Sequence, residues 1–323
     1  PLRSMGTGST RLLIAGLHRV AAESASIVLV DEVEHGLVPH RINRLLDSLG
    51  AKAKSEPLQV FMTTHSPVVL RELSADQLHI VRNTSGGHSA QQIPSDNSFQ
   101  AALRSYPEAF PATTILVCEG ASEIGLIRGL DQFITGKGKA SLQARGVSYV
   151  DVGGGDADRA FVRASIFQKL GFRVAVIQDN DKVPSAKAVM DFIDAGGFHL
   201  AWREGRALED EPFASLPPTA VTALIERAQE LTADGTVNNH ILTTSEGKVK
   251  LDAVLAEGAA GCYGTSTRVL LGQSSRIRKA GWFKSIGKMA GVANDILGPN
   301  LGETDRDFVQ AIIEMLKWAR GHA

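Results

Sequence analysis

The sequence predicts an α/β protein: a parallel sheet flanked by helices, preceded by part of another α/β domain and followed by a mostly helical region. Three observations carry this expectation. Short apolar strands alternate with helix-length segments in two series, over residues 11–63 and 113–205. Strands separated by helices of this length argue for βαβ units and a parallel sheet. Several strands end abruptly in acids or glycines, and beyond Pro212 the pattern becomes helical.

Residues 11–23 have helical periodicity, Ile27–Val30 is a short buried-type strand, 40–50 is helical again, and Val60–Thr63 is a second strand. Residues 83–98 (NTSGGHSAQQIPSDNS) are rich in Gly, Ser, Asn and Pro, the composition of a loop or linker. After the break at Pro107–Pro111, Thr114–Val117 opens the second series. It continues with helix near 122–134, strand 147–152, helix 157–170, strand 173–178, helix 185–195 and strand 198–202. Residues 219–232 then place Val221, Leu224, Ile225, Ala228 and Leu231 on one helical face. Residues 306–320 do the same with Val309, Ile312, Ile313 and Leu316.

A chain of 323 residues has length for two or three modest domains. With 43% apolar and 21% charged residues it has an ordinary globular balance. No apolar run approaches a membrane span and no signal-peptide pattern opens the chain, so no membrane partner is expected. Pro1 in place of Met suggests a fragment or processed form. Cys118 and Cys262 stand far apart in no metal-like or redox-like spacing, so a reducing, cytoplasmic setting is the expectation. The net charge of −1 does not announce a nucleic-acid binder, but averages hide local fields. Arg268, Arg276, Arg278, Lys279, Lys284 and Lys288 follow one another with no Asp or Glu between them. Such a run is most often a solvated face.

Two acids, Asp31 and Glu32, end the first apolar strand, where ligands of open α/β sheets sit. In a phosphate-binding ATPase the first would hold Mg²⁺ through water and the second would polarise the attacking water. Thr63-Thr64-His65-Ser66-Pro67 puts a histidine at the end of the next strand, and Ser4-Met5-Gly6-Thr7-Gly8-Ser9 offers backbone N–H groups just before a helix. Each signal alone is equally a helix cap or a turn. The ordered trio resembles the signature motif, Walker B acids (Asp31, Glu32) and switch histidine (His65) of ABC-type ATPases related to RecF and SMC proteins. Val38-Pro39-His40 is a permuted version of the L-H-P that such relatives carry after D-E-x-E. No G-x-x-x-x-G-K-[ST] phosphate loop occurs in the chain, so these residues alone are not expected to complete an ATP site or hydrolyse ATP. The N-terminal half of the ATPase is expected to be missing here or supplied by another chain.

The second series carries more chemistry. Its first strand leads into Cys118-Glu119-Gly120-Ala121-Ser122-Glu123, which sets Glu119 at the strand end and Glu123 in the first turn of a helix. The bland reading is a loop acid and an acid placed near a helix N-terminus. A later strand ends in Gln178-Asp179-Asn180-Asp181, with Asp179 and Asp181 on the same side in extended geometry. Carboxylates held that close repel unless a cation neutralises them or one takes up a proton; an Asp-rich turn is the alternative. Between them, Asp151-Val152-Gly153-Gly154-Gly155-Asp156 allows close approach of backbone or phosphate, or is a plain loop. Hard carboxylate oxygens suit Mg²⁺ or Mn²⁺, and four or more acids suggest two ions.

The order strand–E-G-x-x-E, strand–glycine run, strand–D-x-D resembles the Toprim domain of topoisomerases, primases and certain nucleases over roughly residues 113–205. Joined to an ATPase segment, it resembles the overcoming-lysogenisation-defect (OLD) family of nucleases, relatives of which act in anti-phage defence. That resemblance implies a Toprim-type sheet and a metal-dependent DNA endonuclease regulated by ATP. Glu119, Glu123, Asp179 and Asp181 would be metal ligands, with Glu119 and Asp179 central to catalysis. Glu209 would be an additional ligand, with Glu204 and Glu211 left open beside it. It also implies a lysine after the Toprim core acting at the scissile phosphate. Lys284, in Trp282-Phe283-Lys284, is preferred to Lys288, the competing role being a phosphate-backbone contact. Arg268, Arg276, Arg278, Lys279 and Lys288 would then attract DNA past the acids in a salt-dependent manner. The implied division is 1–82 for the end of the ATPase domain, 83–112 for a linker, 113–211 for the Toprim domain and 212–323 for a helical domain, its last helix packing back on the sheet. Tyr106, Tyr149 and Tyr263 lie in no recognisable strand-passage context, and two distant cysteines do not make a primase zinc site. Hydrolysis by water is the favoured reaction, with a RecF-like or SMC-like clamp lacking nuclease activity as the alternative. A homodimer is expected, since two sites related by a two-fold axis cut two strands.

Overall fold

The computed structural model describes residues 6, 8, 10, 26–51, 58–84, 86–277 and 280–321. It divides into two compact units, Pro1–Pro111 and Ala112–Ala323. The helix expected at 11–23 lies outside the described residues, as does most of the Gly/Ser turn at 4–9.

In the first unit β1 (Ser26–Val30) pairs in parallel with β2 (Leu58–Met62), Val30 opposite Met62. Between them α1 (Pro39–Ser48) starts with Pro39 in its first turn, where a missing N–H costs nothing, and buries Ile42, Leu45 and Leu46. The helix α2 (Pro67–Glu72) follows β2 and buries Val69 and Leu70. The stretch 83–112, expected to be a linker, is instead structured. His79–Thr84 (β3) and Gly87–Gln92 (β4) form an antiparallel hairpin, and α3 (Asn97–Ser105) is capped by Asp96, which accepts from the N–H groups of Ser98 and Phe99. The strand β4 is exposed along its whole length, so it has no apolar alternation to betray it. Ile93, Phe99 and Leu103 are nevertheless buried and anchor the segment to its unit.

The second unit is built on a parallel sheet in the order β6-β5-β7-β8. These strands are β5 (Thr114–Cys118), β6 (Val147–Asp151), β7 (Arg173–Gln178) and β8 (Phe198–Ala201). The central strand β5 is buried at every position, which its continuous apolar run dictates. The helices are α4 (Ala121–Gly136), α5 (Arg159–Lys169), α6 (Ala186–Asp194), α7 (Asp210–Ser215), α8 (Pro218–Leu231), α9 (Thr236–Thr244), α10 (Leu251–Ala259), α11 (Thr265–Ser275), α12 (Ile286–Val292) and α13 (Arg306–Ala319).

The residues beyond 212 do not form a core of their own. Leu116 and Ile177 from the sheet, Ile127 from α4, and Phe213, Trp282, Phe283 and Phe308 from the helical region belong to one buried cluster. Trp282 is fully buried, 5.9 Å edge-on from Phe213, and its indole N–H donates to His240 Nδ1 at 3.0 Å. The last helix, α13, lies over β8, with Trp318 stacked on Phe198 at 5.3 Å and Phe308 against Trp202 at 5.8 Å. On the other side of the sheet, α5 lies against β5 and β7.

Two glycines set the placement of α12. A Cβ at Gly125 of α4 would stand 2.7 Å from the Ile286 carbonyl oxygen, and one at Gly129 would collide with the Ala290 carbonyl. Only hydrogen fits there, so the start of α12 is pressed against the second turn of α4.

Candidate metal centre

The second unit gathers its acids at the C-terminal edge of the sheet. Glu119 follows β5, its N–H bound to the Ile177 carbonyl at 3.0 Å, and its Oε2 accepts the Asp179 N–H at 3.0 Å. Glu123 sits in the first turn of α4, 3% exposed, and its Oε2 accepts the Gly120 N–H at 2.9 Å. Asp179 Oδ1 accepts the Leu208 N–H at 2.7 Å. Glu209, also 3% exposed, accepts the Ser122 hydroxyl at 3.0 Å.

The charges of these groups act on one another. Burial first, then Asp179, Glu209 and Glu119, push the Glu123 carboxyl well above the usual range. Burial, then Glu209 and Glu119, push Asp179 to about 7. Glu119 is raised by burial, with Asp181 and Glu209 adding to it against the Asp179 N–H. Among the described residues no three of the side chains converge as a ready-made ligand set. Backbone N–H groups and Ser122 hold single oxygens instead. The donor set nonetheless fits a hard divalent cation: buried, mutually repelling carboxylates are relieved by positive charge.

Asp181 faces Arg276, Nη1 to Oδ2 at 3.0 Å, and the same guanidinium lies 3.4 Å from Asp210 Oδ1. Asp210 was not singled out by sequence; its carboxyl is raised by burial, and a Cβ at Gly272 would stand 2.7 Å from it. Of the three acids near the end of the sheet only Glu209 joins the cluster. Glu204 is exposed. Glu211 is fully buried and bound by Arg203, whose backbone N–H and guanidinium both donate to it, and by Arg206 Nη1 at 3.1 Å. Arg203 also reaches the Ser215 hydroxyl and Asp305, so Glu211 ties α7 to the start of α13.

The basic stretch departs from expectation. Arg268 Nη1 donates to the Phe213 and Leu216 carbonyls at 2.6 and 2.9 Å, and Lys288 Nζ to the Leu231 carbonyl at 3.1 Å. Both satisfy carbonyl groups at the ends of α7 and α8, and Arg276 is held by acids, so these three do not form a free basic strip. Arg278 and Lys279 lie outside the described residues. Lys284 is exposed and stands two residues before α12.

Other cations flank the glycine run. Gly153, Gly154 and Gly155 all have positive φ (73°, 67° and 113°), which few other residues adopt at low cost. Arg159 Nη1 donates to the Gly154 carbonyl at 3.0 Å and Lys182 Nζ to the Gly155 carbonyl at 3.2 Å. Lys182, beside the D-x-D, also acts electrostatically on Glu119. Its adjacency to Asp181 was the available sequence signal.

In the first unit the parallel register places the two motifs side by side. Asp31 Oδ1 accepts the Thr63 hydroxyl at 2.6 Å, and the Glu32 N–H donates to the same hydroxyl at 2.8 Å. Glu32 has φ 43°, a left-handed conformation that costs of order 1–3 kcal/mol in a non-glycine residue. The N–H of His65 donates to Glu34 Oε1 at 2.7 Å, and Thr64 to Oε2. Burial raises the Glu34 carboxyl, but these bonds outweigh it and leave it lowered.

Sheet order, glycine run and carboxylate cluster together define a Toprim domain behind an ATPase-type segment. Residues 110–181 match the family described as "Overcoming lysogenization defect protein-like, TOPRIM domain". Residues 1–71 match "AAA domain, putative AbiEii toxin, Type IV TA system". The chain therefore carries an OLD-like Toprim domain preceded by an AAA-type ATPase segment. The C-terminal region of the Xanthomonas campestris pv. campestris OLD protein is a solved structural neighbour, 13% identical, covering 59% of this chain and 95% of that one at a TM-score of 0.30. No curated protein matches the chain. Among the described residues no helix is long and apolar enough to cross a membrane.

Proposed function

We propose that the chain is the catalytic part of a Mg²⁺- or Mn²⁺-dependent DNA endonuclease. The observation that carries this reading is the set of mutually destabilising carboxylates, Glu123 and Glu209 buried and Glu119 and Asp179 half-buried, at the sheet edge of an OLD-like Toprim domain. These four, with Asp181 on the outer side, would hold one or two ions. Bound there, the metal would lower the pKa of water and neutralise charge on the phosphoryl group.

The chain's own residues would do the rest. Arg159 and Lys182, beside the glycine run, would receive the phosphate backbone, a role first expected of Arg268 and Lys288. Lys284, two residues before α12, would stabilise charge building on the scissile phosphate. Arg276 would offset the charge of Asp181 and Asp210 at the outer side of the cluster. Tyr263 is buried with its hydroxyl 2.8 Å from that of Thr222, which argues against a tyrosyl–DNA intermediate and for attack by water. In the whole protein, Asp31, Glu32 and His65 would contribute to a nucleotide site that regulates cleavage, with a homodimer placing two centres on one duplex and defence against phage as the setting.

The test is nicking of supercoiled plasmid. Cleavage in Mn²⁺ or Mg²⁺, abolished by EDTA and by Asp179→Ala with an unchanged circular dichroism spectrum, is the expected result. Cleavage that survives Asp179→Ala, or none with either metal, overturns the reading and favours a non-cleaving DNA clamp.

A further inference from the structure

A cavity lined largely by polar residues lies away from the acidic edge, on the flank of α4. Its volume is about 340 Å³, within the ~300–1,000 Å³ typical of small-molecule sites. Arg128, Gln132 and Thr135 line it from one face of α4, at helical spacing. Ser141 and Gln143 enter from the loop after that helix, and Tyr149 from β6.

The charge balance of this cavity is uneven. Its one acid, Asp131, is already engaged: Oδ2 accepts the Leu142 N–H at 2.9 Å, and Oδ1 pairs with Arg320 Nη2 at 3.3 Å. Arg128 has no carboxylate partner among the described ion pairs. Its guanidinium lies over the Tyr149 ring, 5.1 Å from the centroid, and its Nε is buried with no hydrogen-bond partner. A buried donor on a cation without an acceptor is costly, and buried polar groups normally find one. Burial, with Asp131 and Cys118 nearby, raises the Tyr149 phenol far above its ordinary value, so it stays a neutral hydrogen-bond donor. The hydroxyls of Thr135 and Ser141 and the amides of Gln132 and Gln143 add further donors. A cation would meet Arg128 and find its only counter-charge occupied. An apolar ligand would strand these donors.

We infer that this cavity is a binding site for a small oxyanion, a phosphate or phosphate monoester, held by Arg128 with Thr135, Ser141 and the two glutamines around it. Guanidinium is suited to such ligands because its fork of N–H groups matches paired oxygens. The site is independent of the metal centre, and its test needs no cleavage.

Thermal unfolding of the chain in EDTA, titrated with inorganic phosphate or with AMP against chloride at equal ionic strength, examines it directly. A saturable rise of about 3–5 °C at tenfold Kd is expected in the wild type. Arg128→Gln should remove it, and Thr135→Val, which keeps the guanidinium and its ring contact, should weaken binding about tenfold. Should Arg128→Gln unfold early, Thr135→Val and calorimetric titration carry the test alone. Saturation by phosphate assigns the free anion, and tighter binding of AMP assigns the ester; either supports the site. No saturable shift in the wild type, or equal shifts in wild type and both variants, overturns it.

Discussion

Holding the carboxylate cluster together without a cation should cost the protein stability as pH rises, and Asp179 should carry much of that cost. Its carboxyl has an ordinary value of 3.8 and is pushed to about 7 by burial and by Glu209 and Glu119, with Asp181 adding to it and the Leu208 N–H opposing. The groups facing it are therefore mainly acids, with Lys182 acting on neighbouring Glu119. A group whose folded value is raised binds its proton more tightly in the folded state. Its contribution is complete below about 4 and is lost as pH rises through about 7. At about 1.4 kcal/mol per pH unit, the ceiling is about 4 kcal/mol across that window. That is a large part of the 5–15 kcal/mol typical of a domain. Urea unfolding in EDTA at pH 5, 6, 7 and 8 should show the metal-free protein weakening toward pH 8. Asp179→Asn should make the profile shallower and be the more stable protein at pH 8, Glu123 and Glu119 keeping part of the slope. His199, whose value burial lowers, gives a slope of opposite sign that is common to both proteins, so the difference between wild type and variant reports Asp179 together with its push on Glu123. Saturating Mn²⁺ at one hundred times Kd should restore about 2.7 kcal/mol at pH 8 to the wild type only. A wild-type stability that is level or rising from pH 5 to 8, parallel to that of Asp179→Asn, would refute the reasoning.

Other perturbations separate the remaining roles. Glu211→Gln leaves Arg203 and Arg206 without their buried partner and should cost about 3–5 kcal/mol in urea unfolding, with the Mn²⁺ affinity little changed. Lys284→Ala should abolish plasmid cleavage while leaving Mn²⁺ binding intact; a merely structural lysine would lower Tm instead. Gly129→Leu drives a side chain into the Ala290 backbone and should lower Tm and slow cleavage together, because α12 must separate from α4. Removing Arg159 and Lys182 together should reduce the slope of log affinity for DNA against log salt by about two, whereas removing Lys288 should leave it unchanged.

The sheet and its acids were legible in the sequence because strand ends are local events. An apolar run that stops at Glu119 or Asp179 states both the strand and the side chain it delivers. The partners of Arg268 and Lys288 were not legible, since the carbonyls they satisfy belong to Phe213, Leu216 and Leu231, more than fifty residues away along the chain. A run of cations free of acids in sequence says nothing about acids brought in by folding, as Asp181 and Asp210 are to Arg276. The hairpin within 83–112 was hidden by a strand exposed on both faces, and only Ile93, Phe99 and Leu103 hinted at a core there. The merging of the helical region with the sheet rests on Trp282, Phe283 and Phe308, whose apolar neighbours come from β5, β7 and α4 as well as from their own region. Glu209 and Glu211 illustrate the limit most simply: two residues apart, one faces the acids and the other two arginines.

The most direct test of the carboxylate cluster as a metal centre is Mn²⁺ titration followed by electron paramagnetic resonance of the unbound ion. Saturable loss of the free-ion signal with the wild type, and its persistence with Asp179→Asn and Glu123→Gln, is the predicted result. Equal binding by all three proteins, or no binding by the wild type, would contradict a metal centre built on Glu119, Glu123, Asp179 and Glu209.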